Sequence, residues 1–179
     1  SKNLGQSKEP LHVHQFGATA GGPIRKNSLF FFANYDGQRR KERNETFLNL
    51  PSGFSLSSNP TVAAFQQRAL DYLTPRAASW LRTFDQDVWF ARIDWRITSS
   101  HLFSGRWNRN RFGGQNLTIT GPQQSLEHTG SASKDNETLA ASLTSTLSSS
   151  IINVARFNYL MDDEPNASNS ANPQASVIE

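Results

Sequence analysis

Two short runs of this sequence contain side chains that bind metal ions. His12 and His14 are two residues apart, so on a β-strand both imidazoles lie on one face. The acidic run at residues 162–164 offers carboxylate oxygens of the kind that calcium binds. Neither run supplies enough ligands for a metal ion, and the other two histidines, His101 and His128, are distant in sequence. We therefore predict no metal site and no cofactor.

The sequence also lacks the patterns of nucleophilic catalysis and of phosphate binding. No serine lies in a Gly-x-Ser-x-Gly turn, and no Ser–His–Asp order stands out. The glycine-rich stretch 17–22 lacks the Lys-Ser/Thr pair of a phosphate-binding loop. We therefore expect that the protein is not an enzyme and has no catalytic residues. The ligand-binding residues cannot be assigned from the sequence.

Two basic runs, at residues 39–41 and 106–114, resemble nucleic-acid-binding surfaces because arginine alternates with aromatic residues in the second of them. The formal net charge is only +3, however, and no nucleic-acid-binding module surrounds either run. We predict that these charges lie at strand ends, in solvent or in a polar lumen. No nucleic-acid partner is expected.

The elements that must position these side chains are β-hairpins. Residues 15–37 read QFGATAGGPIRKNSLFFFANYDG, in which a charged turn separates two stretches of strand-forming residues. Two further pairs of alternating stretches follow, with turns near residues 98–101 and 148–150. The pattern predicts six antiparallel strands in an up-and-down meander, at about residues 12–22, 29–48, 86–97, 101–112, 135–148 and 151–161.

The lengths of the connections indicate the kind of sheet. Turns within each pair are short, whereas long polar connections join the pairs, from about residue 38 to 86 and from about 113 to 135. Short turns at one end and long loops at the other are typical of an outer-membrane β-barrel. A strand from 86 to 97 would run roughly 40 Å, or about 30 Å when tilted, which is enough to cross a bilayer. We therefore predict an all-β fold, a partial transmembrane antiparallel up-and-down barrel of about six strands.

Alternation along the strands assigns the side chains to two faces. The residues predicted to face outward, towards lipid, are Trp89, Ile93, Trp95, Leu139, Leu143, Phe157 and Tyr159. The residues predicted to face the concave side are Arg92, Asp94, Arg96, Arg106, Thr144 and Arg156. On the concave side we expect Asp94 to pair with an arginine of a neighbouring strand.

The composition agrees with a barrel strand pattern and excludes several other classes. Hydrophobic residues make up 36% of the 179 residues, and the mean hydropathy is −0.58. No apolar run approaches the length of about eighteen residues that a membrane helix needs, which excludes a helical span. The absence of cysteine excludes a disulfide framework and a thiolate metal site. Because the sequence starts at Ser1 without an initiator methionine, we expect a segment of a longer protein.

The longest connection contains one predicted helix, at residues 60–73. Asn59 is a good N-cap residue, Pro60 suits the first helical position, and Pro75 follows the end. Val62, Phe65, Ala69 and Tyr72 share one face, so the helix is amphipathic. In a barrel this connection would be extracellular.

The hairpin at residues 15–37 resembles the start of the barrel in TonB-dependent outer-membrane receptors of the Oar-like group, which carry a carboxypeptidase-regulatory-like N-terminal domain. The matching residues are Gln15, Phe16, Gly17, Thr19, Gly21, Gly22, Pro23, Ile24, Phe30, Phe31, Phe32, Tyr35 and Gly37, and Ala18 replaces a glycine. Residues 90–95, 101–107 and 153–157 resemble later strands of the same family, in the same order, and residues 165–166 resemble the loop after the last of them.

This resemblance implies a function and a set of partners. Members of the group are outer-membrane transporters of Gram-negative bacteria that take up an extracellular ligand with energy delivered by the TonB complex. Their barrels have roughly 22 strands around a plug. Residues 1–179 would then be a fragment of the barrel, and the plug, the TonB-contacting segment and the N-terminal domain would precede Ser1. Outer-membrane lipid would surround the strands.

An alternative from another class remains open at this point, because half-buried strands of soluble proteins alternate in the same way. The chain would then be a soluble secreted β-sandwich that binds carbohydrate or protein. A sandwich needs two sheets whose apolar faces pack together, whereas a barrel wall needs one apolar face and one polar face with no second layer.

Overall fold

A computed structural model describes residues 11–117 and 125–170 of the chain. The described residues form one antiparallel sheet in which the strands follow the order β1-β2-β3-β4-β5-β6. The strands are β1 Leu11–Arg25, β2 Leu29–Glu45, β3 Ser79–Arg96, β4 His101–Gln115, β5 Gly130–Ser148 and β6 Ile151–Asp163. A short seventh strand, β7 Asn166–Ser168, pairs with the start of β5.

The predicted meander of six antiparallel strands is confirmed, and the sheet is open rather than closed. Each strand pairs with the next along the chain, and the three hairpin turns are short. In the described part of the chain there is one sheet and not two packed face to face, so the sandwich alternative is wrong. The fold is that of a partial barrel wall.

The predicted starts of β3 and β5 are wrong. Both strands begin several residues before the alternating hydrophobic pattern does. β3 begins at Ser79 rather than 86, and β5 begins at Gly130 rather than 135. The connections therefore shorten to residues 46–78 and 116–129, and residues 118–124 of the second lie outside the described part. The β5 extension is largely polar, whereas in the β3 extension Trp80 and Phe84 lie on one face and Leu81 lies on the other. Neither extension has a single apolar face, so alternation could not reveal them. Cross-strand ion pairs such as Arg82–Glu42 at 3.1 Å lie in this extended region.

The register confirms the grouping of side chains into two faces, because residues directly opposite on antiparallel strands point to the same side. We call one side the apolar face. It contains Phe31, Ala33, Tyr35, Trp89, Ala91, Ile93, Trp95, Phe103, Gly105, Trp107, Leu139, Ala141, Leu143, Ala155, Phe157 and Tyr159. We call the other side the polar face. It contains Arg92, Asp94, Arg96, Ser104, Arg106, Asn108, Thr138, Ala140, Ser142, Thr144, Arg156 and Asn158, and it also carries the apolar residues Phe30, Phe32, Phe90 and Leu102.

The sheet has almost no buried core. Among the described residues only Trp80 and Ala140 are buried hydrophobic side chains. Large apolar side chains such as Trp95, Phe157 and Tyr159 are instead exposed, at 43%, 55% and 51%. A water-soluble domain would bury such a face against a second layer, whereas a barrel wall presents it to lipid.

The predicted helix is confirmed as α1, Pro60–Leu73, within the connection between β2 and β3. The side chain of Asn59 caps it by accepting hydrogen bonds from the backbone N–H groups of Thr61 and Val62. Its apolar side chains are not covered, since Phe65 and Tyr72 are 66% and 58% exposed. No helix in the described part of the chain is long and apolar enough to cross a membrane.

Candidate functional site

The polar face carries a cavity of about 230 Å³ that lies across strands β3 to β6. Its lining comes from two adjacent cross-strand rows. In the first row Arg92, Arg106, Ala140 and Asn158 lie opposite one another in turn, and in the second row Asp94, Ser104, Ser142 and Arg156 do so. All of these residues except Asp94 line the cavity. The strand register therefore brings three arginines together around a floor of small side chains.

The floor of the cavity is formed by residues that leave room for a ligand. Ala140 is only 8% exposed, and it lies between Arg106 and Asn158 in the first row. Ser104 and Ser142 lie opposite each other in the second row. Their short side chains keep the centre of the cavity open, and their hydroxyl groups can donate or accept hydrogen bonds.

A carboxylate neutralises one of the three arginines, and the two residues of this ion pair lie on the same strand. The Arg92 guanidinium donates two hydrogen bonds to Asp94, from Nε at 2.8 Å and from an Nη at 3.0 Å. The prediction that Asp94 pairs with an arginine of a neighbouring strand is therefore wrong. The register places Phe30 and Ser104 opposite Asp94, so its nearest arginine is two residues back on the same face of β3.

The other two arginines have no such partner. Neither Arg106 nor Arg156 contacts a carboxylate within the described residues, and both are exposed on the polar face. Arg106 lies directly opposite Arg92, so two guanidinium groups share one cross-strand position. Like charges in that arrangement repel each other. The cavity therefore has an excess of positive charge.

The structure places the candidate metal ligands among unsuitable neighbours. In β1, His12 lies opposite Lys41 and His14 lies opposite Arg39, so positive charge surrounds both imidazoles. In the acidic run, Asp162 accepts a hydrogen bond from Asn136 at 2.5 Å, and Lys134 donates to Glu164. No group of three or more metal-binding side chains occurs within the part of the chain that the structure describes.

The two basic runs lie mainly in paired strand regions. Arg39 donates a hydrogen bond to Asp87 at 2.8 Å, and Arg40 contacts Glu42 at 2.5 Å. Arg109 donates two hydrogen bonds to Asp135, at 2.9 and 2.7 Å. These ion pairs neutralise much of the positive charge for which the two basic runs resemble a nucleic-acid-binding surface.

A belt of aromatic and charged side chains lies where the apolar face becomes polar. Tyr35 donates a hydrogen bond to Asp87 at 2.6 Å, and the indole N–H of Trp107 donates to Glu137 at 2.6 Å. Tyr35 and Trp89 are neighbours, with ring centroids 5.7 Å apart. Aromatic rings with one apolar body and one hydrogen-bonded polar group are typical of the interfacial girdles of membrane barrels.

Two charged groups beyond this belt, Asp135 and Lys134, have pKa values that differ from their ordinary ones. The hydrogen bonds from Arg109, aided by the charge of Arg111 at 3.3 Å, hold the pKa of Asp135 below its ordinary value. The hydrogen bond from Lys134 to Glu164 raises the pKa of that lysine. Both effects favour the charged forms, so these ion pairs are present at neutral pH.

The cavity was not predicted from the sequence, although its charged members were. Alternation predicts that Arg92, Arg106 and Arg156 share one face, but they are separated by up to 64 positions in the chain. Only the register shows that the floor between them consists of Ser104, Ala140 and Ser142. The signal available in the sequence was small residues at the matching positions of β4 and β5, which becomes informative only once the strands are aligned.

Comparison with known proteins gives the chain its family. The family model described as the outer membrane beta barrel domain matches residues 1–80 and 55–178. No curated protein and no solved structure matches the chain. The matched ranges together cover nearly the whole sequence, and they agree with the open meander that has one apolar and one polar face. The chain belongs to the outer membrane beta barrel domain family and forms part of a β-barrel in the outer membrane.

Proposed function

We propose that the chain is part of the barrel of a TonB-dependent receptor that takes up an extracellular ligand. The observation that carries this proposal is the β1–β2 hairpin, whose residues 15–37 match the motif of the Oar-like group. The plug, the N-terminal domain and the segment that contacts TonB belong to the rest of the protein. The proposed role is transport and not catalysis.

Close packing in the hairpin supports the use of this motif as a family signature. A Cβ atom at Gly17 would lie 2.6 Å from the backbone oxygen of Tyr35, which is too close for any side chain. A Cβ atom at Gly37 would lie 2.8 Å from the Phe16 ring, because Phe16 is directly opposite Gly37. The backbone contact requires glycine at position 17, and glycine at position 37 leaves room for the Phe16 ring.

The openness of the sheet supports a larger barrel. Strand β1 pairs only with β2, and β6 pairs only with β5, so both outer strands have one edge free within the described residues. Such edges are not stable in lipid, because their backbone N–H and C=O groups have no water to bind. Additional strands must complete the wall, as expected for a barrel of roughly 22 strands.

The arrangement of loops supports a ligand that arrives from outside the cell. Barrels of the outer membrane have short periplasmic turns and longer extracellular loops. The connection at residues 46–78, which contains α1, is then extracellular, and the turns at residues 26–28 and 149–150 are periplasmic. The polar face would line the path between them.

The proposal is tested by the interaction with TonB. The full-length protein in detergent is titrated with the purified periplasmic domain of TonB, and binding is measured by calorimetry. We expect saturable binding that disappears when the segment preceding the barrel is deleted while the barrel is kept. Failure of the full-length protein to bind would contradict the proposal.

Uptake is tested in the native cells. Compounds removed from a defined medium are identified by mass spectrometry for the parent strain and for a strain lacking the gene. We expect at least one compound to be removed by the parent alone, and only while the inner membrane is energised. Equal removal by both strains, or removal that persists with a protonophore, would count against energised uptake through this protein.

A further inference from the structure

We propose that the cavity on the polar face between Arg92, Arg106 and Arg156 binds a carboxylate or phosphate group. This binding site is a separate proposal from the transport role. It requires only that the polar face lines the interior of the barrel. Its chemistry follows from charge, from shape and from the available hydrogen-bond donors.

The charge of the cavity calls for an anion. Asp94 neutralises Arg92 through two hydrogen bonds, whereas Arg106 and Arg156 contact no carboxylate among the described residues. Arg106 also faces Arg92 directly across the strands. A bound anion would offset this repulsion, because an opposite charge close to a guanidinium group is favourable.

The shape of the cavity suits a small oxyanion. A volume of about 230 Å³ corresponds to several water molecules, since one water occupies roughly 30 Å³ in the liquid. The short side chains of Ala140, Ser104 and Ser142 form the bottom of the cavity. The longer side chains of Arg106 and Arg156 also line it, from the neighbouring positions on β4 and β6. An inorganic phosphate or a short dicarboxylate matches these dimensions.

The donors around the cavity are those that proteins use for oxyanions. A guanidinium group presents a planar fork of N–H donors that pairs with two oxygens of a carboxylate or phosphate. Ser104, Ser142 and Asn158 add hydroxyl and amide donors at the floor and rim. Asp94, the nearby carboxylate on this face, is already engaged by Arg92 and so repels an incoming anion less.

The anion could come from either of two sources that share this chemistry. One source is a solute inside the barrel, and the other is an acidic side chain from another part of the same protein. The experiment therefore has two arms. Both use the full-length protein in detergent, with inorganic phosphate and succinate as the probes.

The first arm measures binding of phosphate and succinate by calorimetry to the parent protein and to its R106Q, R156Q and R96Q variants. Arg96 is the matched control, because it lies on the same face of β3 but does not line the cavity. We expect saturable binding that weakens at least tenfold in R106Q and in R156Q and changes less than twofold in R96Q. Equal weakening in R96Q would overturn the proposal, because it would indicate diffuse charge and not a site.

The second arm applies if the parent protein binds neither probe, and it measures thermal unfolding of the same variants. If an internal carboxylate fills the site, R106Q and R156Q should lower the unfolding midpoint more than R96Q does. The two effects should also not be additive in the double variant, because both arginines would contact one group. The absence of both binding and this pattern of destabilisation would overturn the proposal. R106K and R156K replace any glutamine variant that does not fold.

Discussion

The carboxylate of Asp135 links β5 to β4 through ion pairs at positions beyond the apolar face. It accepts two hydrogen bonds from Arg109, at 2.9 and 2.7 Å, and it lies 3.3 Å from Arg111. Both arginines belong to β4, and Arg111 is directly opposite Asp135 in register. Because these contacts lower the pKa of Asp135, they stabilise the fold only while the carboxylate is ionised.

We expect Asp135→Asn to destabilise the full-length protein at neutral pH and to have little effect in strong acid. The folded-state pKa is below the unfolded value of about 3.9, so the stabilisation is complete above that value. It is lost as the pH falls through the folded pKa. The measurement is the urea midpoint of the parent and the variant in detergent, at pH values on both sides of this window.

Asp163→Asn is the matched control for this prediction. Asp163 lies directly opposite Asp135 on the same face and contacts no cation among the described residues. Removing its charge should leave stability unchanged or raise it slightly at neutral pH, because two carboxylates then repel each other less. A loss of stability equal to that of Asp135→Asn would show that charge removal in general, and not the Arg109 contact, accounts for the effect.

At the scale of elements, β1 and β2 pack so closely that one glycine cannot be replaced. Gly17→Ala would place a methyl group 2.6 Å from the backbone oxygen of Tyr35, and a backbone atom cannot move aside without disturbing the ladder. We expect a loss of about 1–3 kcal/mol in the free energy of unfolding, as for other overpacked sites. Denaturant unfolding of the full-length protein in detergent measures it.

Gly22→Ala provides the comparison on the same strand. A Cβ atom at Gly22 has no neighbour within 4 Å, so alanine fits without strain. Its effect should be close to zero or stabilising by about 0.4–1 kcal/mol, because alanine restricts the unfolded chain. If both variants lost the same stability, the cause would be a general intolerance of β1 to side chains and not the contact with Tyr35.

The elements also show what the sequence could and could not predict. Alternation placed Trp89, Ile93 and Trp95 on one face of β3, and the register confirms it, because a hydrophobic period of two is visible wherever one face meets lipid. The same rule failed between Ser79 and Gln86, where Trp80 and Phe84 lie on one face and Leu81 lies on the other, so no single face is apolar. The helix was predictable since its N-cap signal is local.

The candidate site was less predictable than the fold for the same physical reason. Arg106 and Arg156 come from different hairpins, and their relation depends on register across β4, β5 and β6. A shift of one residue in either ladder would send one arginine to the other face. Periodicity within a strand contains no information about that alignment.

For the whole molecule, the open sheet predicts behaviour outside the membrane. The apolar face has no second layer, and one edge of β1 and one of β6 is unpaired within the described residues. We expect residues 1–179, expressed alone, to form aggregates or large oligomers in plain buffer and to need detergent to remain dispersed.

The measurement is refolding of this chain with and without detergent, followed by size-exclusion chromatography and thermal melting. A barrel segment should give no sharp melt in buffer. A monodisperse monomer in buffer that melts cooperatively would contradict a lipid-facing wall, because such a transition requires a core that the sheet lacks.

The length of β3 has a mechanical consequence for the loop that it supports. Its 18 residues span roughly 60 Å, or about 42 Å at a tilt of 45°, whereas the apolar band of a barrel is about 25 Å tall. The hydrogen-bonded ladder with β2 therefore continues beyond the bilayer, as far as Glu45 opposite Ser79. In the proposed orientation, in which the connection at residues 46–78 is extracellular, the ladder sets the distance between the bilayer and the two ends of that connection. Adding or removing residues two at a time on both strands would move these ends in steps of about 5 Å, whereas a change of one residue would exchange the two faces of each strand.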